Sequence, residues 1–387
     1  MNNTDIVTIA SLVAKFGFYD VARRVLGFAD SDPVGSINPN CKIIHVYKQR
    51  LTSGGSSAGL NVSSDMTASC QRAYGFDSSS VGVIDSNKLD CVLFNERPSH
   101  MIIKAFWVPV EKLSLLAKKY PSCQFVVTCH SNPSFLGQEK RGFSDIGKII
   151  ALYLEHPNIH VAANNLDTAT AFSSAFGAEV LWAPNVICDD SECMPGKTKG
   201  CEEEEFLDVG LFCALRPMKN VLTQALAAIE VAKALQTNLR LHVITDRVEM
   251  DGDNIAKSLR DMFAIVDSNC AKLVEHKWMS HDDFIKLVAT MDVGLQVSYT
   301  ESFNIVTTDF LSQNVPVVVG DSISWAPREW RAQPDSVASI KNKIIEMVTA
   351  EKAKKRYLRS AGHTLLDLFN RSAIEQWIHL TANAKKW

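Results

Sequence analysis

Short apolar runs alternate with longer amphipathic stretches along most of the chain. Runs of this kind, bounded by turn-forming residues, are typical of parallel strands covered on both faces, and the stretches between them have helical spacing. In the first half we predict helices at Val110–Lys119 and Asp145–Glu155. The strands predicted there are Lys42–Tyr47, Cys91–Asn95, Phe125–His130, His160–Ala163 and Val180–Ala183.

A second alternating series begins after a break that is rich in Cys, Gly, Lys and Glu and has no apolar periodicity. Two such series predict an α/β protein with two Rossmann-like domains facing across a cleft. The strands predicted in the second series are Leu207–Phe212, Leu241–Ile244, Lys272–Glu275, Val293–Gln296 and Val315–Val319. The helices predicted there are Asn220–Ala234, Asn254–Val266, His281–Thr290, Phe303–Ser312 and one that starts at Val337.

The predicted domain bounds follow from this division. The N-terminal domain covers residues 1–188, a linker covers 189–205, and the C-terminal domain covers 206–365. Residues 366–387 are predicted to form a C-terminal helix. We expect this helix to pack back on the N-terminal domain, because its apolar side chains need a partner surface. Those side chains are Ile374, Trp377, Ile378 and Leu380.

Composition and charge exclude several classes of protein. The 387 residues are 46% hydrophobic and 21% charged, which is ordinary for a globular protein. A net charge of −3 excludes a polycation that binds nucleic acid through its overall field. No apolar run is long enough to span a bilayer, and the N-terminal residues lack the basic region of a signal peptide.

The cysteines indicate the cellular location of the chain and whether it binds a metal. Ten cysteines without a signal peptide predict reduced thiols and a cytoplasmic location. No CxxC pair or partner His gives zinc spacing to Cys188, Cys193 and Cys201, and no Asp-x-Asp follows a strand. We therefore predict no metal site and no bound cofactor.

The segment Tyr299–Asp321 carries the most informative acids. It predicts a loop with Glu301, a helix with Asp309 and a strand that ends at Gly320. Two carboxylates around a helix N-terminus suit a nucleotide sugar, since the acids bind hydroxyls while the helix dipole and free amides bind phosphates. The alternative is an acid near a helix start followed by a solvated Asp.

Two cations come just before another predicted helix. Arg216 and Lys219 follow the strand Leu207–Phe212, and Pro217 stands where helices often begin. Cations are unfavourable at a helix start, so their presence there suggests a bound anion such as a diphosphate. The alternative is a pair of surface cations beside a turn.

Two further features follow strands of the first half. Gly54 and Gly55 belong to a Gly/Ser loop that allows close backbone approach to a phosphate or sugar. His130 ends the strand Phe125–His130, where it could donate to a developing charge or orient an acceptor hydroxyl. A structural histidine bonded to a loop is the alternative.

The C-terminal half resembles that of the retaining GT-B glycosyltransferases of the E-x7-E class. The resemblance covers residues 207–322 in good order and residues 40–187 only loosely. It rests on the segments LFCALRPMKN, LHVITDR, VEHKWMSHDDFIKLVATMDVGLQVS and ESFNIVTTDFLSQNVPVVVGD.

The resemblance implies roles for individual residues. Arg216 and Lys219 would hold the donor diphosphate. Glu301, together with the backbone at Phe303 and Asn304, would hold the donor sugar. Arg216, Lys219 and Glu301 would then carry the chemistry.

The resemblance also assigns a role to Asp309, and two further candidates come from the positions of residues along the chain. Asp309 would bind the ribose hydroxyls. Arg247, at the end of LHVITDR, is a candidate donor contact, and His130, at the end of its predicted strand, is a candidate catalytic residue. The chain departs from the family pattern in having Asp rather than Glu at the second acid. It also has Ala214 where the family usually places its Arg.

The implied activity is a retaining, metal-independent hexosyl transfer from a nucleotide sugar, with UDP as the expected nucleotide, to a hydroxyl acceptor in the N-terminal domain. The RP-x-KN form is similar to a subset associated with viruses and bacteria, some of which glucosylate hydroxymethyl-pyrimidines in DNA. A viral chain would act in the host cytoplasm. For a DNA acceptor, the phosphate contacts predicted are Lys48, Arg50, Lys140 and Arg141.

Other activities are compatible with two α/β domains. A glycan or small-molecule glycosyltransferase and a sugar-nucleotide epimerase share the GT-B architecture. An NAD(P)-dependent oxidoreductase would need GxGxxG after a strand, which is missing. A DNA-binding module without catalysis would need a concentrated basic face, which the net charge disfavours.

Overall fold

A computed structural model describes residues 37–38, 40–49, 59–138, 142–187, 206–266 and 270–382. The predicted linker, residues 189–205, lies outside these ranges. So do Gly54, Gly55, Arg50, Lys140 and Arg141.

The chain divides into two compact units. The N-terminal unit contains the described residues up to 187 together with those from Leu368 onward, and the C-terminal unit contains those from 206 to Asp367. The division falls inside one helix, Lys352–Ala382.

The N-terminal unit is built on a six-stranded sheet. The strand order is β2-β1-β3-β4-β5-β6, and every neighbouring pair is parallel. The strands are β1 (Lys42–Lys48), β2 (Asp77–Val83), β3 (His100–Lys104), β4 (Gln124–Cys129), β5 (Ile159–Ala163) and β6 (Val180–Trp182). The helices are α1 (Gly59–Ala73), α2 (Leu89–Glu96), α3 (Val110–Lys119), α4 (Pro133–Leu136), α5 (Gly142–Glu155) and α6 (Leu166–Phe176).

One predicted strand of this unit is wrong. Cys91–Asn95 lies in α2, where Leu89 and Leu93 are buried one helical turn apart. A short apolar run does not by itself separate a strand from a buried helix turn. Strands β2 and β3 were not predicted: β2 is a polar edge strand, and β3 carries His100 and Lys104 among its apolar residues.

The C-terminal end of the chain completes the core of the N-terminal unit. Ile43, Ile102 and Val126 come from neighbouring strands and pack in one buried cluster with Trp377 and Ile378. The indole Nε1 of Trp377 donates to the Pro184 carbonyl at 3.0 Å. The last helix therefore supplies a buried wall to a sheet encoded at the other end of the sequence.

The C-terminal unit repeats the architecture. Its strand order is β12-β11-β10-β7-β8-β9, again with parallel neighbours throughout. The strands are β7 (Phe206–Leu211), β8 (Asn238–Ile244), β9 (Ala271–His276), β10 (Val293–Gln296), β11 (Val317–Gly320) and β12 (Arg331–Ala332). The helices are α7 (Val221–Leu235), α8 (Asp253–Ile265), α9 (His281–Val288), α10 (Ile305–Ser312), α11 (Val337–Thr349) and α12 (Lys352–Ala382).

Two glycines let α10 lie close to this sheet. A Cβ on Gly294 would lie 2.6 Å from the ring of Phe310, and one on Gly210 would lie 2.9 Å from it. Because Phe310 is fully buried, side chains at either glycine would push α10 away. Two parallel sheets with connecting helices confirm the predicted α/β class.

The described cysteines correct one prediction. Cys70 on α1 is disulfide-bonded, so the prediction of reduced thiols is wrong for this residue. The free thiols in the described ranges are Cys41, Cys91, Cys123, Cys129, Cys213 and Cys270. None of the helices in those ranges has the length and hydropathy that a bilayer crossing requires.

Candidate active site

Charged side chains follow three neighbouring strands of the C-terminal unit. Arg216 and Lys219 follow β7, Arg247 and Glu249 follow β8, and Glu301 follows β10. The strands are adjacent in the order β10-β7-β8, so their carboxyl ends share one edge of the sheet. Successive strands are added on one side of β7 and, from β10 on, on the other. This is the topological switch point, where open α/β sheets bind ligands.

The turn after β7 differs in detail from the predicted helix start. Arg216 is extended, Pro217–Lys219 forms a single 3₁₀ turn, and Asn220 adopts a left-handed conformation (φ 55°) before α7 begins. Asn tolerates this conformation better than most side chains. The Nδ2 of Asn220 donates to the Val297 carbonyl at 3.0 Å, which ties this turn to the end of β10.

A second buried side chain reinforces that tie. Gln224 on α7 donates from Nε2 to the Lys219 carbonyl at 2.8 Å, and its Oε1 accepts from the Val297 amide at 2.8 Å. The Tyr299 amide donates to the Met218 carbonyl at 3.0 Å. The two loops that carry the charged residues are therefore fixed to each other by backbone and side-chain hydrogen bonds.

Lys219 and Glu301 form an ion pair across these loops. The Lys219 ammonium donates to Glu301 Oε1, and their side chains are only 13% and 9% exposed. Burial alone would raise the pKa of the Glu301 carboxyl. The Lys219 charge, with smaller contributions from Ser298 and Arg216, lowers that pKa by more, so the net shift is downward. Glu301 is thus an ionised hydrogen-bond acceptor at neutral pH and not a proton donor.

Glu249 joins the two arginines of the site. Its Oε2 lies 3.3 Å from Arg216 Nη1, and its Oε1 accepts from Arg247 Nη2 at 2.9 Å. The Arg247 guanidinium lies 4.1 Å from the centroid of the Trp278 ring, a cation–π geometry. A bridge between Leu215 and Val248 holds the two loops side by side. Glu249 was not predicted, although an acid two positions after Arg247 is visible in the sequence.

The residues that follow Glu301 shape the start of α10. Asn304 is left-handed (φ 69°), its Oδ1 accepts from the Thr307 amide at 2.9 Å, and its Nδ2 donates to Gln296 Oε1 at 2.9 Å. Phe303 is buried; its ring stacks on Trp325, and its carbonyl accepts from Trp325 Nε1 at 2.8 Å. Both side chains therefore hold the loop. The predicted sugar contact of their amides stays a prediction.

Asp309 lies on α10, as predicted, and has a partner that was not predicted. Its Oδ1 accepts from His281 Nε2 at 2.9 Å. The Asp309 side chain is 5% exposed and that of His281 is 35% exposed. The hydrogen bond to Asp309 raises the pKa of His281 above its ordinary value although burial opposes the shift. The pair therefore presents a charge-assisted N–H group at the start of α9.

His130 belongs to the N-terminal unit. It follows β4, is half-buried, and its Nε2 is buried without a hydrogen-bond partner in the described part of the chain. Burial lowers the pKa of His130 well below its ordinary value, and the positive charge of Lys104 lowers it further. His130 is therefore a neutral imidazole at physiological pH. Its catalytic role stays a prediction, as do the roles of Gly54 and Gly55 outside the described ranges.

The described residues contain no group of three or more His, Cys, Asp or Glu side chains that could hold a metal ion. The five charged residues at the switch point are held by one another instead. Three cations oppose two carboxylates, so this cluster has one positive charge in excess. The arrangement suits the binding of an anion.

Comparison with known proteins establishes the fold. No family model and no curated protein sequence matches the chain. A glycosyltransferase from Rickettsia africae ESF-5 aligns with a TM-score of 0.61 at 12% identity, over 90% of this chain and 99% of that one. Sucrose-phosphate synthase from Thermosynechococcus elongatus aligns with a TM-score of 0.63 at 13% identity, over 88% of this chain and 98% of that one.

A third similar structure is Anabaena Alr3699/HepE in complex with UDP and glucose. It aligns with a TM-score of 0.58 at 15% identity, over 89% of this chain and 100% of that one. At such identities the likeness concerns the fold alone. The chain has the GT-B glycosyltransferase fold, with two Rossmann-like units that each contain a parallel six-stranded sheet.

Proposed function

We propose that the chain is a retaining glycosyltransferase that moves a hexose from a UDP-hexose to a hydroxyl acceptor. The observation that carries this proposal is the charged cluster at the switch point of the C-terminal unit. There the Lys219–Glu301 pair lies beside Glu249 and its two arginines. A GT-B fold with cations and an ionised acid at this position has the groups that a nucleotide-sugar donor requires.

The cations would act on the leaving diphosphate. As the bond between the anomeric carbon and the diphosphate oxygen breaks, negative charge grows on the diphosphate. Arg216 and Lys219 would stabilise that charge, and such preorganised electrostatic stabilisation is usually the largest single contribution to catalysis. Glu249 holds the Arg216 guanidinium, so little reorganisation would be needed when the donor binds.

Glu301 would orient the sugar. Its carboxylate is ionised and accepts from Lys219 and from Ser298, and a carboxylate has enough lone pairs to accept from a sugar hydroxyl as well. The acceptor oxygen would bond to the anomeric carbon on the face from which the diphosphate leaves. Because attack and departure take place on the same face, the product keeps the anomeric configuration of the donor. The acceptor proton would pass to the departing diphosphate oxygen, so no side chain of the protein needs to act as the base.

The Asp309–His281 pair would contact the nucleotide. Asp309 is nearly buried, so His281 is the more exposed end of the pair. The ribose hydroxyls would accept from His281 or donate to Asp309. Because one of the similar structures was solved with UDP and glucose, UDP-glucose is the first donor to test.

The identity of the acceptor is a separate matter. Of the four basic residues predicted to contact DNA, Lys48 alone lies in the described ranges, where it is exposed at the end of β1. Transfer to DNA stays a prediction of the sequence resemblance.

A donor screen tests the proposal. Thermal unfolding would be followed with UDP-, GDP- and ADP-hexoses, and a donor at 100 times its dissociation constant should stabilise the fold by about 2.7 kcal/mol. The anomeric configuration of the product would be read by NMR. An inverted product, or an isomerised sugar nucleotide formed without acceptor, would overturn the proposal.

Matched variants separate the two acids. Glu301→Gln should reduce kcat more than donor affinity, whereas Asp309→Asn should chiefly weaken UDP binding. Glu275→Gln is the control, because Glu275 pairs with Arg260 on an exposed part of the same unit. Wild-type UDP affinity in Asp309→Asn would remove the ribose assignment.

A further inference from the structure

The N-terminal unit contains a cluster of buried polar atoms that lack hydrogen-bond partners. In folded proteins nearly all such atoms are paired, so several together call for an explanation. The atoms in the cluster are His45 Nδ1, Gln71 Nε2, Lys104 Nζ, Thr128 Oγ1 and His130 Nε2.

The cluster lies at one face of the sheet near its carboxyl edge, and Gln71 reaches it from α1 through its hydrogen bond to His45. Lys104 on β3 and Thr128 on β4 are register partners, and His130 follows two positions after Thr128. His45 on β1 shares a face with Ile43, because side chains two positions apart on a strand point the same way. That face packs against the last helix, where the Trp377 ring meets the His45 ring edge to face at 5.5 Å.

The cluster also occupies the switch point of its sheet. In the order β2-β1-β3-β4-β5-β6, the chain adds strands on one side of β1 and then, from β3 on, on the other. Lys104 ends β3 at this position, and the next residue, Ala105, has φ 71°. A left-handed alanine is unfavourable, and such residues concentrate at functional sites.

The unpartnered atoms are mainly hydrogen-bond donors. The Lys104 ammonium, the Gln71 amide nitrogen and the Thr128 hydroxyl can all donate. His45 Nε2 lies 2.8 Å from Gln71 Oε1, an acceptor, so this nitrogen carries the proton and Nδ1 is left as the acceptor of the ring. A donor-rich, cationic cluster matches an oxyanion.

We propose that Lys104, Thr128 and His130 form a subsite for an anionic group, a phosphate or a carboxylate, carried by the sugar acceptor. The proposal rests on the glycosyltransferase function proposed above and narrows the acceptor to an acidic molecule. The donor diphosphate has its own cations in the C-terminal unit, in Arg216, Lys219 and Arg247. Lys104 supplies a buried positive charge to the unit in which we expect the acceptor.

The charge of Lys104 explains why an anion would bind. Burial lowers the pKa of the Lys104 ammonium to about 7, because no carboxylate in the described residues offsets the loss of water. The titratable groups that face it are His45 on β1 and His130 after β4, and burial keeps the pKa of each well below its ordinary value. An anion beside Lys104 would restore the ammonium form, so binding above pH 7 takes up a proton.

Sulfate is the probe for a direct test on the full chain. At pH 8 both imidazoles are neutral, so proton uptake reports on Lys104. Calorimetry in two buffers of different ionisation enthalpy should show uptake of about one proton as sulfate binds. Sulfate should also raise the unfolding midpoint relative to chloride at equal ionic strength.

Three variants make the test specific. Lys104→Met should lose the proton uptake and be stabilised less by sulfate than wild type, since only the general effect of a surface-excluded salt remains. In chloride it should unfold at a higher temperature than wild type, because it replaces a buried unpaired cation by an apolar chain. Lys118→Met is the control; Lys118 lies exposed on α3, and its variant should behave as wild type. Thr128→Val should bind sulfate more weakly and still take up the proton. An unchanged sulfate effect in Lys104→Met would overturn the subsite.

Turnover identifies the class of acceptor. With saturating UDP-hexose, the KM for a hexose phosphate or a hexuronate should rise about tenfold or more in Lys104→Met, while the KM for a neutral hexose stays the same. Comparing the phosphate with the hexuronate shows which oxyanion is used. Equal use of neutral and acidic acceptors by wild type would contradict the proposal. Failure of wild type to bind any UDP-hexose would instead overturn the glycosyltransferase function and leave the sulfate result standing.

Discussion

Both units have charged side chains at the switch point of their sheet, but among the described residues the charges are paired in one unit and unpaired in the other. In the C-terminal unit, Lys219 is held by Glu301, and Glu249 is shared by two arginines. In the N-terminal unit, Lys104 is buried with no counter-charge in the described residues. Paired charges stay ionised and keep their geometry before a ligand arrives, whereas an unpaired buried charge loses its proton easily. The comparison indicates that one site is preorganised and that the other depends on its ligand for charge.

Removing the cation of the pair should have the largest effect. Lys219→Met leaves the buried Glu301 carboxylate without its partner, so we expect a loss of about 3–5 kcal/mol in the free energy of unfolding. Urea unfolding at pH 7 measures this loss. Lys104→Met removes a lysine that is more deeply buried than Lys219 but has no counter-charge in the described residues, and it should show no such loss. Equal destabilisation by the two variants would contradict the distinction between a paired lysine and an unpaired one.

The double variant Lys219→Met/Glu301→Gln is the internal control. It also removes the Glu301 carboxylate that Lys219→Met leaves without a partner, so the double variant should be more stable than Lys219→Met alone. The direction of the pH dependence follows from the lowered pKa of Glu301 in the folded state. The ion pair stabilises the fold fully at pH values above the pKa of Glu301 in the unfolded chain. This stabilisation is lost as the pH falls through the lower pKa of Glu301 in the folded protein. The gap between wild type and the double variant should therefore narrow in acid.

Removing Arg216 should cost activity more than stability. Glu249 keeps Arg247 as a partner in Arg216→Ala, so the fold should persist. Loss of one cation at the diphosphate should lower kcat by about 10²–10³-fold, or about 2.7–4 kcal/mol. Arg260→Ala is the matched control, since Arg260 pairs with Glu275 on an exposed surface. A kcat in Arg216→Ala equal to that of the control would remove Arg216 from the site.

The smallest effect should come from the His281–Asp309 pair. The pKa of His281 is raised in the folded protein. The pair therefore stabilises the fold fully at pH values below the pKa of the unfolded histidine, and this stabilisation is lost as the pH rises through the higher pKa of the folded state. His281→Gln should therefore be less stable than wild type by about 1 kcal/mol or less in mild acid and equal to it in alkali. Urea unfolding at two pH values measures the difference. The same pH dependence in an Asp309→Asn background would show that Asp309 is not its cause.

The C-terminal unit was largely predictable from sequence, and the N-terminal unit less so. Val293–Gln296 has the predicted bounds, and the other predicted strands of the C-terminal unit are found within a few residues. Its buried strands are apolar runs, and its helices have amphipathic spacing. In the N-terminal unit, β2 reads DSSSVGV at a sheet edge and so lacks an apolar run, while the apolar run Cys91–Asn95 is a helix. Exposure at an edge and helix–strand ambiguity explain the two kinds of error.

The site was predictable in part. A helix start without a counter-anion singled out Arg216 and Lys219, and the structure pairs Arg216 with Glu249 and Lys219 with Glu301. The counter-charges were harder to find, because they lie on other strands: Lys219 and Glu301 are 82 residues apart in sequence. Glu249 and His281 have no local signal that distinguishes them from surface residues. The facing of the two units across a cleft stays a prediction.

The helix α12 has a consequence for the order in which the protein can fold. The Asn370 side chain exchanges hydrogen bonds with the backbone of Ile187, and Trp377 fills the core beside β1. A ribosome releases these residues only after it has made the entire C-terminal unit. The N-terminal unit, although translated first, therefore cannot complete its core until the end of α12 has been synthesised. The later-made unit can complete its own core earlier.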